Sequence, residues 1–450
     1  VGPETGATAG GTLVTVTGSG FTGATAVDFG SVAGTGLAVG AGGKSLTVTT
    51  PPAPYAGPEA VTVVAPAGHS PVSAGALFTY VAGPSTYHAL AAIRATAGGG
   101  GAFGPGVTRS LTLAGVDGVP VTASAVLVNL TVTDDTNATY DTLWPASDPR
   151  PGVSSLVASM GETVAHLVEV PLGADGAISI YNHAGSSHVV VDVEGYYSAG
   201  SGVAGRLVTV GPAVAFDTAA KGGGGPLGAR VARAFTVTGL DRVPRTGVAA
   251  VVLDLTSSAT TAASYASVYP AGTTRSLASS LNWEKGRAAT NLVTVPIGRG
   301  GAIDIYNRNG SADVSGVIRG YVTSARATAT GHLATPVAPV VLLATTASGG
   351  GGPLGAGRVL ALPVNGRDGV PTHATDAVLD ITAIRPTAPS SLTAYPAGAG
   401  RPAIADLSWP RGQTSSDLVV VPIGVGGIVD LYNQLGEVGL TVSLEGYYTS

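Results

Sequence analysis

Apolar and polar residues alternate over short runs along almost the whole chain. Leu13-Val14-Thr15-Val16-Thr17 does so, as do Ala177-Ile178-Ser179-Ile180 and Ala302-Ile303-Asp304-Ile305. A period of two sends successive side chains to opposite faces, so these runs predict half-buried β-strands. Other runs, Ala125 to Val132, Val248 to Leu255 and Leu418 to Pro422, are mostly apolar and β-branched. Gly, Pro, Asn and Asp punctuate the runs at roughly 8–12-residue spacing, as expected of short strands joined by turns. Almost nothing carries a helical period. The expected class is all-β, built of tandem β-sandwiches.

The pattern repeats. Tyr181-Asn182, Tyr306-Asn307 and Tyr432-Asn433 lie 125 and 126 positions apart. Pro145, Pro270 and Pro396 keep the same spacing, after Trp144, Tyr269 and Tyr395. So do Gly195, Gly320 and Gly446, each followed by tyrosine. Each copy opens on a glycine run (Gly98 to Gly101, Gly222 to Gly225, Gly349 to Gly352) and has a Val-Pro turn at Val119-Pro120, Val243-Pro244 or Val370-Pro371. Val170-Pro171-Leu172-Gly173, Val295-Pro296-Ile297-Gly298 and Val421-Pro422-Ile423-Gly424 follow. The expected domains are 1–83, 84–199, 200–325 and 326–450. Such an array makes a rod or a surface with several equivalent faces.

The first module differs from the other three. It opens Gly2-Pro3, then Gly10-Gly11-Thr12 and Val14-Thr15-Val16-Thr17-Gly18-Ser19-Gly20-Phe21. Val27-Asp28-Phe29-Gly30 and Leu46-Thr47-Val48-Thr49-Thr50-Pro51 follow, and Phe78-Thr79-Tyr80 closes it. In order and spacing these motifs resemble the IPT/TIG family of immunoglobulin-like domains, which implies a small sandwich of about seven strands. The three copies resemble a repeat found in secreted and cell-surface proteins of actinobacteria, with a sandwich or jelly-roll-like fold expected. The opening Asp-Thr-Arg of that repeat survives only in part, as Asp217-Thr218, against Ala95-Thr96 and Ala344-Thr345.

Composition narrows the partners. Charged residues are 11% of the chain and mean hydropathy is +0.36, so the surface must be largely neutral. A net charge of −5 and only three lysines, Lys44, Lys221 and Lys285, argue against nucleic acid, which needs a basic patch. Cysteine is absent, and no apolar run reaches the roughly 20 residues of a membrane span. Sandwich edges with little charge to protect them favour self-association. A head-to-tail contact between the first module and a neighbour's last copy would give an open filament.

Reactive chemistry does not recur. None of the seven histidines repeats: His166 aligns with Asn291 and Asp417. His183 and His188 flank a turn but make at most half a metal site. Asp134-Asp135 with Asn137 and Asp141 is calcium-like in composition, but copies two and three carry Ala259-Thr260 and Arg385-Pro386, which favours a solvated loop. Glu194 and Glu445 precede Gly-Tyr, but copy two has Arg319. The chain is therefore expected not to be an enzyme and to have no catalytic, metal or cofactor site. Tyr181, Tyr306, Tyr432, Trp283 and Trp409 are the candidate sugar-stacking residues, set against a packing role for the tyrosines and turn-making for the asparagines. Trp283 and Trp409 face Ala158 in the first copy. The expected function is a secreted or cell-surface structural protein forming a homo-oligomer, fibre or layer. The alternative is a carbohydrate-binding, adhesive module set, associated with a cell wall or a phage fibre and directed at a cell-wall or surface glycan.

Overall fold

A computed structural model describes residues 1–450 apart from 54, 67, 74, 82, 96–100, 201 and 241. Thr96 and Gly98, Gly99 and Gly100 of the first glycine-rich opening lie outside the described residues. Among the described residues the fold is almost entirely β, and the helical turns are three short 3₁₀ segments such as Arg299–Gly301.

The N-terminal module is a two-sheet sandwich. One sheet pairs Leu13–Thr17 with Ser45–Thr49 and then Thr35–Val39. The other runs Thr5–Ala7, Leu77–Val81, Gly57–Ala65, Ala26–Phe29. The alternation in Leu13–Thr17 sends Val14 and Val16 inward and leaves Leu13 62% exposed. Phe29, Phe78 and Tyr80 fill the centre edge to face, with Phe78 and Tyr80 centroids 5.0 Å apart. Tyr80 donates its buried hydroxyl to the Pro51 carbonyl at 2.9 Å, which satisfies the one polar atom in that cluster.

Each copy is a sandwich of two four-stranded sheets. In copy one the inner sheet runs Val164–Pro171, Ala125–Thr133, His188–Ala199, Ser85–Ala95. Its outer sheet runs Thr108–Thr112, Ala177–Asn182, Thr139–Pro145, Leu156–Ala158. Copy two repeats the order with Ala289–Pro296, Val248–Ser258, Asp313–Thr323, Leu207–Asp217 inside. Copy three repeats it with Ser415–Pro422, Asp376–Ile384, Gly439–Thr449, Leu333–Ala344.

The near-continuous apolar runs are the inner-sheet strands, and both of their faces are covered. In Ala125–Thr133, Val126, Val128, Leu130 and Val132 pack into the copy's own core. Ala125 and Leu127 point the other way, into a cluster of fourteen buried side chains drawn from all three copies. Leu167, Leu292 and Leu418, at equivalent positions, meet there. The strands that carry them touch one another pairwise, so the copies close around a pseudo-threefold axis. They do not string out as a rod. The alternation signal cannot tell a strand buried by its own domain from one buried by its neighbours, which is why closure was not foreseen.

Backbone pairing reinforces the closure. Ser85 pairs with Ala334, joining the inner sheets of copies one and three into one of eight strands. Leu207 of copy two bridges His332 in both directions, at 3.0 and 2.6 Å. The edges Val164–Pro171, Ala289–Pro296 and Ser415–Pro422 meet at the axis, whereas Ser85–Ala95, Leu207–Asp217 and Leu333–Ala344 are joined only through these single positions. The N-terminal module docks on copy one through Tyr55, which packs against that copy's core.

Candidate functional site

The recurrent residues pin the fold. Asn182, Asn307 and Asn433 are fully buried. Asn307 donates to the Leu227 carbonyl at 2.9 Å and to Gly310 at 3.1 Å, and accepts from Ser264 at 2.8 Å. Asn433 does the same with Leu354, Gly436 and Ser390. The asparagine therefore ties the glycine-rich opening to the turn after the strand. Gly173, Gly298 and Gly424 recur because a Cβ there would stand 2.1 Å from backbone of Ala146, Ala271 or Ala397. The aromatic-Pro pairs end extended strands at Pro145, Pro270 and Pro396.

The residues that differ between copies sit at the junctions. Glu194, Arg319 and Glu445 are each the extra residue of a β-bulge: the register steps from Leu127–Gly195 to Val128–Val193, and likewise around Gly320 and Gly446. A bulge re-aims its side chain, here toward the next copy. Glu194 accepts the Thr294 N–H at 3.1 Å, and Glu445 accepts the Glu169 N–H at 3.0 Å. Arg319 instead donates to Asp254 at 2.6 Å and to the Ala405 carbonyl at 3.0 Å, and lies 3.0 Å from Asp406. The histidine-equivalent set closes a second ring. Asn291 donates to Asn129 at 2.8 Å, and His166 sits 3.7 Å from Asp380.

Burial sets the protonation at these junctions. It pushes Glu194 and Glu445 up to about 8, against one backbone hydrogen bond each, and Glu169 to about 8 against the Tyr197 hydroxyl. Burial likewise pushes Asp406 to about 7, with Arg319 pulling the other way. His166 is pushed down to about 4 and stays neutral beside Asp380, whose own carboxyl burial raises first, then Glu445 and Asp417. The 3.7 Å contact therefore joins two groups whose charged forms burial disfavours.

One end of the axis is open. The turns linking Leu156–Ala158 to Val164–Pro171, and their two counterparts, converge there around a depression of about 580 Å³. Glu162, Arg287 and Gln413 occupy equivalent positions and link across it. Arg287 donates to Gln413 at 3.2 Å, and Gln413 donates to Glu162 at 3.0 Å. Beyond this bridge the depression continues into a basin of about 930 Å³, lined by Tyr140, Met160, His183, Lys285, Arg385 and Arg411 among others. Tyr140 and His183 stack at 4.4 Å and 17°.

The sequence-predicted stacking residues are placed elsewhere or deeper. Tyr181, Tyr306 and Tyr432 sit on the outer sheets, each with a guanidinium over one ring face: Arg150 at 3.6 Å, Arg275 at 4.1 Å, Arg401 at 4.0 Å. Trp283 and Trp409 are each 3% exposed and pack in their copies' cores, where Ala158 sits in copy one. They form part of the depression's wall, with indole N–H groups that lack a partner. The arginines were missed, although Arg150, Arg275 and Arg401 recur at the repeat spacing.

In the acidic loop of copy one Asp134 and Asn137 are exposed as expected, but Asp135 and Asp141 are not. Asp135 is 4% exposed and Asp141 fully buried, and none of their carboxylate oxygens has a partner. Burial, then Asp134 and Glu162, pushes Asp135 up to about 6. Burial, then Asp135, pushes Asp141 to about 7. No group of three or more His, Cys, Asp or Glu among the described residues is placed to hold a metal ion.

The module that begins the chain has two sheets, seven main strands and an aromatic centre, and over the same stretch its sequence fits one known domain model. Residues 1–80 match the IPT/TIG domain family. Among curated proteins none matches the chain. Among solved structures, a chain from the atomic structure of Sulfolobus turreted icosahedral virus aligns over 81% of this chain and 90% of its own, at 9% identity and TM-score 0.18. A chain described under the triple jelly roll fold and turret assembly of an archaeal virus aligns over 81% and 89%, at 10% identity and TM-score 0.16. The Bacteroides ovatus SGBP-B of a mixed-linkage glucan utilization locus, in complex with a heptasaccharide, aligns over 69% and 72%, at 11% identity and TM-score 0.14. At such scores the likeness carries no argument about this chain. No helix among the described residues is long and apolar enough to cross a membrane.

Proposed function

We propose that this chain is an extracellular, non-catalytic adhesive protein of a cell surface, in which three sandwich copies form one rigid head and the IPT/TIG domain is an accessory at its side. The observation that supports this reading is closure. The copies spend their inner faces on one another, and turns from all three meet at one composite end. Outer-sheet edges are short, three residues at Leu156–Ala158 and five at Thr108–Thr112, which blunts strand addition. A surface binder needs one defined face, whereas a polymer needs two complementary ones. Retention of the full chain on cell-wall polysaccharide columns, with a monomeric mass across protein concentration, is the expected result. A chain that polymerises and is not retained sinks the reading.

One feature favours the structural, self-assembling alternative. The IPT/TIG domain exposes the apolar side chains of Leu13, Val32, Val72 and Val81 at 62%, 45%, 66% and 41%. Self-association through this domain would be nearly insensitive to salt. Mass measured by light scattering against concentration, with Leu13→Lys as the control, separates the two readings.

A further inference from the structure

We propose that the basin at the open end of the axis binds an anionic glycan, a polysaccharide with carboxylate groups spaced along it. The proposal rests on the adhesive reading and supplies its site and ligand class.

The basin has two unlike walls, and the repeat makes the contrast visible. Met160, Lys285 and Arg411 are equivalent turn positions, one from each copy, and all three are exposed. Copy one contributes the apolar member. It also contributes the Tyr140–His183 stack; the equivalents are Tyr265 and Arg308 in copy two and Ser391 and Gln434 in copy three, so no other copy can form it. Copies two and three contribute Lys285, Arg287, Arg385 and Arg411. An aromatic and thioether wall thus faces a cationic one.

Charge density decides the ligand class. Four cations and two carboxylates, Glu162 and Glu284, line the basin, leaving two positive charges in excess on a chain of net charge −5. Lys285, Arg385 and Arg411 are in no ion pair among the described residues, so their charge is available. A DNA strand brings phosphates but no backbone hydroxyl, so Glu162 and Glu284 would meet charge without a donor. A sugar chain offers hydroxyls to those carboxylates, a ring face to Tyr140 and His183, and a carboxylate to the cations. Bridging by Gln413 between Arg287 and Glu162 leaves donors and acceptors on the basin floor in alternation. The depression and the basin, about 580 and 930 Å³, fall within the roughly 300–1,000 Å³ of ligand pockets.

The test is affinity electrophoresis of the full chain through gels holding polygalacturonate, dextran or single-stranded DNA. The probe for the site is the double variant Lys285→Ala/Arg411→Ala, both exposed positions whose replacement is expected to leave the melting temperature unchanged. Polygalacturonate is expected to retard the wild type, dextran not to, and the double variant to bind about tenfold more weakly, the effect of losing hydrogen bonds to a charged group. Tyr140→Ala is expected to weaken binding without removing its salt dependence. Equal retardation by dextran, or unchanged binding of the double variant, overturns the basin as the site and leaves the adhesive reading standing. Retardation by DNA as strong as by polygalacturonate overturns the glycan class. No retardation by either polysaccharide overturns this proposal, and the column test above then decides the adhesive reading independently.

Discussion

Gln413 donates its side-chain amide to Glu162 at 3.0 Å across 251 positions of sequence, although the two residues are the same position of one repeat. Symmetry-related positions touch only next to the axis. With Arg287, the third equivalent, they form a bridge that is exposed to solvent on one side. Exposed polar links contribute little, about 0–1 kcal/mol, because water competes for both partners. Gln413→Ala is therefore expected to leave the denaturation midpoint within about 0.5 kcal/mol of wild type. A larger loss in urea titration would make the bridge a strut of the fold and not the floor of a ligand basin.

The Arg319 junction is different, because it is buried. Asp254 and Asp406 share one guanidinium, and removing it leaves two carboxylates in a low dielectric. Arg319→Ala is expected to cost about 3–5 kcal/mol. The junction between copies one and two has no arginine at this position: Glu194, Asn129 and Ser280 stand where copies two and three have Arg319, Asp254 and Asp406. Arg319→Glu with Asp254→Asn and Asp406→Ser should therefore recover most of that loss. If the triple variant is no better than Arg319→Glu alone, the junctions are not interchangeable.

How much of this was legible depended on what each signal encodes. Alternation and punctuation read the strands directly, since a strand's period is local. The spacing of Tyr-Asn and of Pro-x-Gly located the copies, because Asn433 and Gly424 satisfy constraints inside one sandwich. Closure was not legible. Leu167 and Val168 look alike in sequence, yet one meets the other copies and the other its own core. The failure of Glu194, Arg319 and Glu445 to match removed a catalytic reading. It was also the one trace of the junctions, since equivalent sites facing different neighbours need different side chains.

The buried asparagines give a sharper test of the repeat. Asn433→Ala would remove the hydrogen bonds to the Leu354 and Gly436 carbonyls and the Ser390 hydroxyl, leaving Leu354 the Val438 N–H and Ser390 the Leu435 N–H as partners. Each hydrogen bond contributes about 0.5–1.5 kcal/mol net, so a total loss of about 3 kcal/mol is expected. Asn433→Asp keeps the acceptor but not the donors and should be nearly as damaging. Denaturant unfolding that shows less than 1 kcal/mol for either, by the same scale, would return the asparagine to a mere turn former.

Asp141 predicts a gain. It occupies the position of Ala266 and Leu392, both fully buried, and its oxygens have no partner. Burial first, and Asp135 second, raise its carboxyl from 3.8 to about 7. A folded-state value above the unfolded one means the native state holds more protons, so this group's contribution worsens as pH rises from about 4 to about 7 and stays unfavourable above that. Asp141→Ala is expected to stabilise the protein by about 1–3 kcal/mol at pH 8, with the gain shrinking toward pH 4. A pH-independent difference in melting temperature would show that ionisation is not the cause.

The final expectation concerns the order of the copies. The fourteen-residue central cluster needs all three sandwiches, so residues 1–325 alone would expose Leu167, Leu292 and their neighbours. Apolar side chains of this size are worth about 1.5–3 kcal/mol each when fully buried, enough to drive reassociation. Residues 326–450 would supply the missing third, and the two pieces should combine one to one. Three copies of 326–450 should not form the same body. Every junction would then hold Asp380, Asp417 and Glu445, without the Arg319, His166 or Asn129 that meet their counterparts in the intact chain. Burying such repeated acids requires either protonating them or leaving their charge unpaired, and that cost rejects the wrong partner. Mixing the separately purified pieces and weighing the product by sedimentation checks both halves of the argument. A stable homotrimer of 326–450 at neutral pH would show that the junction residues do not encode order; a trimer appearing only on acidification would show that they encode it through charge.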